Sequence, residues 1–294
     1  MPLPLLPVEA ADTLIALALE EDLRDIGDLT SSALIPRDLQ GVVQIVARRR
    51  GILSGGPIAE RVFHKVDPTT TVRRFVEDGA RLEPRMVVAE VRGPVPSLLT
   101  AERTALNFLT HLSGIATLTR RFVDAAAGTR ASILDTRKTI PGWRSLAKYA
   151  VACGGGTNHR MGLYDGVLIK DNHLGAWTSG EDRASIAAAV RQARKVSPAG
   201  VSVEVEVDSL AQLEDALPGP PDIVLLDNMT LDEMLSAVRM RDASTPQVLL
   251  EASGGVTLET TPGIAATGVD RISIGALTHS APALDLAFDW IRRG

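Results

Sequence analysis

The chain has 294 residues, 45% of them hydrophobic and 23% charged, with a formal net charge of −5. That composition describes a globular protein able to bury a full core, as one large domain or as a barrel with a smaller companion. The acidic balance and 3% aromatic content exclude a general nucleic-acid binder, no apolar run reaches the length of a membrane span, and the single cysteine, Cys153, excludes a disulfide framework.

The N-terminus, MPLPLLPVEAADTL, has no basic n-region and no small-residue cleavage site, so no signal peptide is expected and the expected location is cytoplasmic. From Pro7 to about Asp22, Val8, Ala11, Leu14, Ile15 and Leu19 keep the spacing of an amphipathic helix. Gly27-Asp28-Leu29-Thr30 breaks that period and is expected to begin a loop. Residues 41–92 then alternate as short strands (GVVQIVAR, TTVRRFV, MVVAEVR) around a helical IAERVFHKV, a small α+β unit punctuated at Gly55-Gly56, Asp78-Gly79 and Gly93-Pro94. The stretch VEDGARLEPRMVVAEVRG has the cadence of a lipoyl or biotin carrier, but no lysine lies between Lys65 and Lys138 to carry the prosthetic group.

A long helix is expected from about Pro96 to Ala127, with a break near Ser113-Gly114. Arg103 lies on it between Leu99 and Leu106, either as a snorkelling arginine or as a charge delivered into a partner's pocket. Cys153, in VACGGG at the end of a later helical pattern, fits a small buried side chain better than a nucleophile.

From about Gly128 six strands are expected, at 133–138, 166–172, 202–208, 222–228, 248–255 and 271–276. Helical patterns separate them (WRSLAKYAV, DRASIAAAVRQAR, SLAQLEDAL, TLDEMLSAVRM), which predicts parallel strands linked by helical crossovers. Nearly every strand ends in residues that do chemistry: Arg137 and Lys138, Lys170 and Asp171, Glu204 with Glu206 and Asp208, Asp227 and Asn228, Ser253-Gly254-Gly255, and Gly275. Functional groups at the carboxyl ends of successive strands mark the active face of an α/β barrel.

Between Arg130 and His173 there are seven lysines or arginines against three aspartates, together with His159 and His173. Cations gathered at strand ends repel one another unless a multiply charged anion joins them, and arginine forks suit carboxylate or phosphate. The run Val203-Glu204-Val205-Glu206-Val207-Asp208 has a strict period of two, so its valines face the helices and its three carboxylates face the barrel axis. Buried there, they need Lys138, Lys170, hydroxyls or a hydrated Mg²⁺ as partners. Ser253-Gly254-Gly255 and Gly275-Ala276 let backbone N–H groups approach a phosphate. His279, just beyond, either contacts that phosphate or caps a turn. No GxxxxGK[ST] is present, which excludes a P-loop.

The blocks EDLRDIGDLTS, LLTAERTALNFLTHLSGIAT, DTRKTIPGWRSLAKYAV, GGGTNHRMGLYDGVLIKDNH, VEVEVDSLAQL, DIVLLDNM, LEASGGV and GVDRISIGALTHSAPALD together resemble the quinolinate phosphoribosyltransferase family. The likeness runs from about Glu20 to Leu286. It implies an α/β fold in which a smaller N-terminal α+β domain, residues 1–116 with a linking helix, accompanies an incomplete (β/α) barrel at 117–294 that ends in a helix. It also implies a homodimer with shared active sites, joining quinolinate to phosphoribosyl pyrophosphate with loss of CO₂ and with Mg²⁺ as cofactor. By the same resemblance Arg103 comes from the neighbouring subunit and, with Thr136, Arg137, His159 and Arg160, holds quinolinate. Lys138 and Lys170 serve the carboxylate and pyrophosphate ends. Glu206 and Asp227 hold the ribose hydroxyls and the metal. Ser253, Gly254 and Gly255 with Ile274, Gly275 and Ala276 cradle the 5′-phosphate, with His279 beside them. Three rivals share features: a pyrophosphorylase-like protein of molybdate-transport operons, which lacks the lysine matching Lys170; a barrel lyase using Lys138 or Lys170 in a Schiff base; and a non-catalytic binding protein.

Overall fold

The computed structural model describes residues 3–177 and 185–291. They form two compact units: one gathers the chain up to Arg120, then Lys138–Gly156 and the chain from Ala276 onward; the other comprises Arg121–Arg137 and Thr157–Gly275.

In the first unit, α1 (Val8–Leu23) buries Ala11 and Ile15, as their spacing requires, with Pro7 at its N-cap. Where a loop was expected, a short helix α2 (Leu29–Leu34) forms. The Asp28 carboxylate accepts the Ser31 N–H at 2.9 Å and satisfies one of the N–H groups a helix start leaves open. Then come β1 (Gln40–Ala47), β2 (Gly51–Ile52), α3 (Gly56–Val66), β3 (Thr71–Arg74), β4 (Arg81–Leu82) and β5 (Val87–Pro94). β5 lies antiparallel between β1 and β3. The Asp78-Gly79 turn presents no carrier residue. Instead the Asp78 carboxylate accepts the N–H groups of Gly55 and Gly56, each at 2.9 Å, and holds the start of α3.

α4 (Val95–Ala125) runs unbroken through Ser113-Gly114. Gly114 is there for close approach, not as a stop: a Cβ on it would lie 2.3 Å from the Pro282 carbonyl oxygen. The expected domain cut at 116/117 therefore falls inside a continuous helix.

The strands of the second unit are β6 (Ser132–Leu134), β7 (Val167–Ile169), β8 (Val203–Val207), β9 (Ile223–Asp227), β10 (Leu249–Ser253) and β11 (Arg271–Ser273), with α5 (Arg144–Cys153) of the first unit between β6 and β7. All six were expected, but the ladders end earlier, leaving Arg137 and Lys170 on the loops beyond them. The connecting helices are α6 (Asp171–Trp177), α7 (Ile186–Val196), α8 (Leu210–Ala216), α9 (Leu231–Ser244) and α10 (Thr261–Ala266). Of the helical pattern that opens at Asp182, residues 182–184 lie outside the described residues; Ser185 caps α7 through the Ala188 N–H.

The sheet order is β6-β11-β10-β9-β8-β7, with every neighbouring pair parallel. The last strand pairs with the first, as in a closed barrel, but among the described residues the first and second strands do not pair. The barrel is incomplete. One face of the sheet is apolar and buried: Val203, Val205, Val207, Val224, Leu226, Leu250, Ala252 and Ile272 are all at most 1% exposed. The register puts Glu206, Leu225, Glu251 and Arg271 side by side on the opposite face.

The chain then re-enters the first unit with a single turn, α11 (Ala276–His279), and β12 (Leu286–Trp290). The expected C-terminal helix is thus corrected to a strand, antiparallel to β1. Leu286, Phe288 and Trp290 recur with period two, and Phe288 stacks on Phe63 with centroids 6.0 Å apart.

Candidate active site

The chemistry-bearing residues of the second unit collect beyond the carboxyl ends of its strands. Thr136 and Arg137 follow β6, Lys170 follows β7, Glu206 lies near the end of β8, Asp227 ends β9, Ser253 to Gly255 end β10, and Ile274 and Gly275 follow β11. His159 and Arg160 lie in the segment leading to β7. Lys138, Ala276, His279 and Arg103 belong to the first unit. There Lys138 is exposed and its carbonyl accepts the Thr278 hydroxyl at 2.7 Å, while His279 Nδ1 lies 2.6 Å from Ser280 Oγ. Arg103 is exposed on α4.

Arg137 and Arg160 form the cationic side of the site. Nε of Arg137 is buried with no hydrogen-bond partner among the described residues. Arg160 donates through Nη1 to the Gly166 carbonyl at 2.8 Å. Burial and the nearby charge of Arg137 together lower the pKa of Arg160. Two guanidinium groups that feel each other, one with a buried donor unused, make a site that an anion would relieve.

The three carboxylates of the β8 pattern have separate fates. Glu206 forms a hydrogen-bonded ion pair with Lys170, one of the several partners the sequence offered for these carboxylates. Asp208, expected toward the barrel axis, lies past the end of β8 and is exposed, because the strand stops at Val207. Glu204 is 2% exposed and, among the described residues, meets neither lysine nor hydroxyl. Its Oε2 lies 3.1 Å from His159 Nε2, and Glu251 Oε1, on β10, lies 3.4 Å from the same nitrogen. Burial opposes charge on His159, but hydrogen bonds to Glu204 and Glu251 outweigh it and raise its pKa to about 9. Burial, with the charge of Glu251, raises the pKa of Glu204. Glu251 also accepts from Arg271 Nε at 2.6 Å. Glu204, Glu251, His159 and Arg271 are together neutral when one proton is shared between His159 and Glu204, and a proton so coupled belongs to the pair.

Sequence reasoning did not single out Glu251, Arg271 or Asp135. An acid inside the apolar run Val-Leu-Leu-Glu-Ala was the available signal for Glu251. Asp135 is fully buried and its carboxylate accepts the His159 N–H at 2.8 Å.

Asp227, half-buried, accepts from Asn228 Nδ2 at 2.8 Å. Asn228 has φ 54, in the left-handed region that asparagine tolerates, and its N–H donates to the Ser253 carbonyl at 2.9 Å. Gly254 and Gly255 both have positive φ. A Cβ at Gly254 would meet Asn228 Oδ1 at 2.1 Å, so this loop needs glycine for both conformation and space. Successive N–H groups in such a turn form a concavity suited to an anion.

The family profile described as quinolinate phosphoribosyl transferase, C-terminal domain, matches residues 115–289, and that of the N-terminal domain matches residues 28–113. The chain belongs to the quinolinate phosphoribosyl transferase family. A nicotinate-nucleotide pyrophosphorylase [carboxylating] of Mycobacterium leprae is 46% identical over 283 residues, covering 96% of this chain and 97% of that protein. A probable nicotinate-nucleotide pyrophosphorylase of Bacillus subtilis is 41% identical over 91% of this chain and 90% of its own length. Among solved structures, the nicotinate-nucleotide pyrophosphorylase of Francisella tularensis superposes with a TM-score of 0.89 at 38% identity, over 97% of each chain. The fold extends to a Pyrococcus furiosus structure at 18% identity and TM-score 0.70.

The lone cysteine of the family chain is buried in the first unit against Ile52, Ala116 and Tyr149. Burial pushes its thiol up to about 11, which suits packing and not nucleophilic attack. Among the described residues no helix is long and apolar enough to cross a membrane.

Proposed function

We propose that the protein transfers the phosphoribosyl group of phosphoribosyl pyrophosphate to quinolinate, with decarboxylation, giving nicotinate mononucleotide, pyrophosphate and CO₂ for NAD biosynthesis in the cytoplasm. The observation that carries this reading is the Arg137–Arg160 pair, with a buried guanidinium nitrogen left unpartnered. It suits a compact dianion such as a pyridine dicarboxylate, and family membership supplies the reaction class.

Departure of pyrophosphate from the ribose leaves an oxocarbenium-like centre, which Glu206 and Asp227 stabilise electrostatically while holding the ribose hydroxyls. Lys170, paired with Glu206 in the free protein, is released to the departing pyrophosphate when the ribose takes over that carboxylate; Lys138 joins it. Gly254, Gly255 and Gly275 receive the 5′-phosphate through backbone N–H groups. Once its nitrogen is ribosylated the pyridinium ring holds the electrons of the breaking C–CO₂ bond, and a proton from water then takes the place of the lost carboxylate. The arginines then need only grip the remaining carboxylate.

Glu206 and Asp227 also fit a hard divalent cation: both are carboxylates at strand ends, half-buried and not blocked by arginine. These two carboxylates would hold Mg²⁺, which would supply positive charge to offset the charge growing on the leaving group.

The active form is a homodimer in which Arg103 enters the neighbouring subunit's site. In support, Arg103 is exposed on α4. The first unit also carries an open apolar cleft of about 770 Å³ lined by Leu39, Val42, Val95, Leu99, Trp290 and Ile291, a surface suited to burial against a partner.

The purified protein, given quinolinate, phosphoribosyl pyrophosphate and Mg²⁺, is expected to release CO₂ and nicotinate mononucleotide in equal amounts and to use nicotinate poorly. Equal turnover of nicotinate would refute the assignment.

A further inference from the structure

The buried acids on the inner face of the second unit are unaccounted for by the reaction. Glu204 and Glu251 are 2% and 0% exposed, so neither reaches a substrate. They lie on strands separated by β9 and converge on one atom, His159 Nε2, at 3.1 and 3.4 Å. Two carboxylates packed in an apolar sheet are costly, and leucine would fill either place more cheaply. Glu204 Oε1 and Glu251 Oε1 are both buried without a hydrogen bond, so Glu251 meets the ring through charge and packing while its Oε2 is taken by Arg271.

His159 passes this constraint on. Its N–H donates to Asp135 Oδ1 at 2.8 Å, and its Nδ1 accepts the Arg160 N–H at 2.7 Å. Ring and backbone are thus fixed on three sides, and the next residue is tied to the ring. Arg160 then turns back to the Gly166 carbonyl with one guanidinium nitrogen, where its charge feels that of Arg137.

We propose that Glu204 and Glu251 are positioning residues of the dicarboxylate site: from inside the sheet they clamp the His159 ring, and through it they set the direction in which Arg160 presents its guanidinium. The clamp acts on the pyridine end of the site and leaves the phosphoribosyl end alone. It rests on the reading of Arg160 as a ligand of the pyridine dicarboxylate.

Glu204→Gln keeps the shape and removes the charge. It is expected to raise KM for quinolinate about tenfold or more, the scale on which outer partners tune a ligand, while KM for phosphoribosyl pyrophosphate stays within about twofold. On a His159→Gln background the same substitution should add little, since both act through one ring. Effects that multiply independently, or a rise in both KM values, would overturn the clamp. Nuclear magnetic resonance of protein labelled at histidine and arginine, without substrate, separates this from the proposed reaction. Glu204→Gln should shift the His159 ring signals and the Arg160 amide; unchanged signals would reject the clamp even in an active enzyme. Shifted signals in a protein that does not turn over quinolinate would keep the clamp and sink the reaction. If Glu204→Gln does not fold, the wild-type spectrum decides. A slowly exchanging Nε2–H supports the clamp, and a ring that exchanges and titrates like a free imidazole rejects it. The same three side chains are spaced to hold a cation; stoichiometric zinc or manganese that survives dialysis and is lost in Glu204→Gln would replace the clamp with a metal site.

Discussion

Arg137 and Arg160 stand close enough for each charge to be felt by the other, and the tension is borne by the fold. Arg137→Ala should therefore leave the thermal midpoint unchanged or slightly raised, while KM for quinolinate rises by ~10²-fold, the loss of a charge-assisted fork in a partly desolvated site. Calorimetry and initial rates on one preparation check both halves. Lys170→Ala should slow turnover by ~10²-fold with the fold intact, on the scale of one preorganised electrostatic contact. Near wild-type turnover would remove Lys170 from the mechanism. His159 contributes to the pH response of stability. Its pKa is raised in the folded protein, from 6.5 to about 9, so its stabilisation is complete below about pH 6.5 and is lost as pH climbs through about 9. Thermal midpoints between pH 6 and 10 should fall along that limb, and His159→Gln should flatten it.

Short strands with long, functional ends are the recurring element here, and they govern what a sequence reader can see. The six strands were legible because apolar runs alternate with helical periods, and the glycines of Ser253-Gly254-Gly255 were legible as a close-approach loop. Gly254→Ala tests that loop: a methyl group 2.1 Å from Asn228 Oδ1 at φ 95 must displace both strand ends. KM for phosphoribosyl pyrophosphate should rise at least tenfold, roughly, with KM for quinolinate less affected. Glu251, Arg271 and Asp135 were not legible, because their meaning lies in register: Glu251 faces Arg271 across a pairing of strands that no local pattern specifies. Asp208 misled for a related reason, since period two predicts a side chain's face only while the strand lasts. α2 was missed although its Asp28 cap was in plain view, being too short to show a period. β12 was read as a helix because a single strand of five residues shows only three apolar positions.

At the scale of the whole molecule, Arg103 offers the decisive experiment on assembly. Arg103→Ala and Lys138→Ala should each be nearly inactive, and mixing them should restore about a quarter of wild-type activity, because half the reassorted dimers carry one sound site. Verified exchange without recovery would show that Arg103 acts within its own chain. The antiparallel pairing of β12 with β1 bears on how the protein is made. Arg48 and Asp289, bridged at 2.5 Å, are 241 residues apart in sequence. On the ribosome β1 emerges early and must wait, one edge uncovered, for a strand synthesised after the entire barrel sheet. The first unit consequently has no finished state during most of translation, and a chain released before Leu286 should leave a hydrogen-bonding edge open to other nascent chains, where aggregation rather than partial activity is the expected fate.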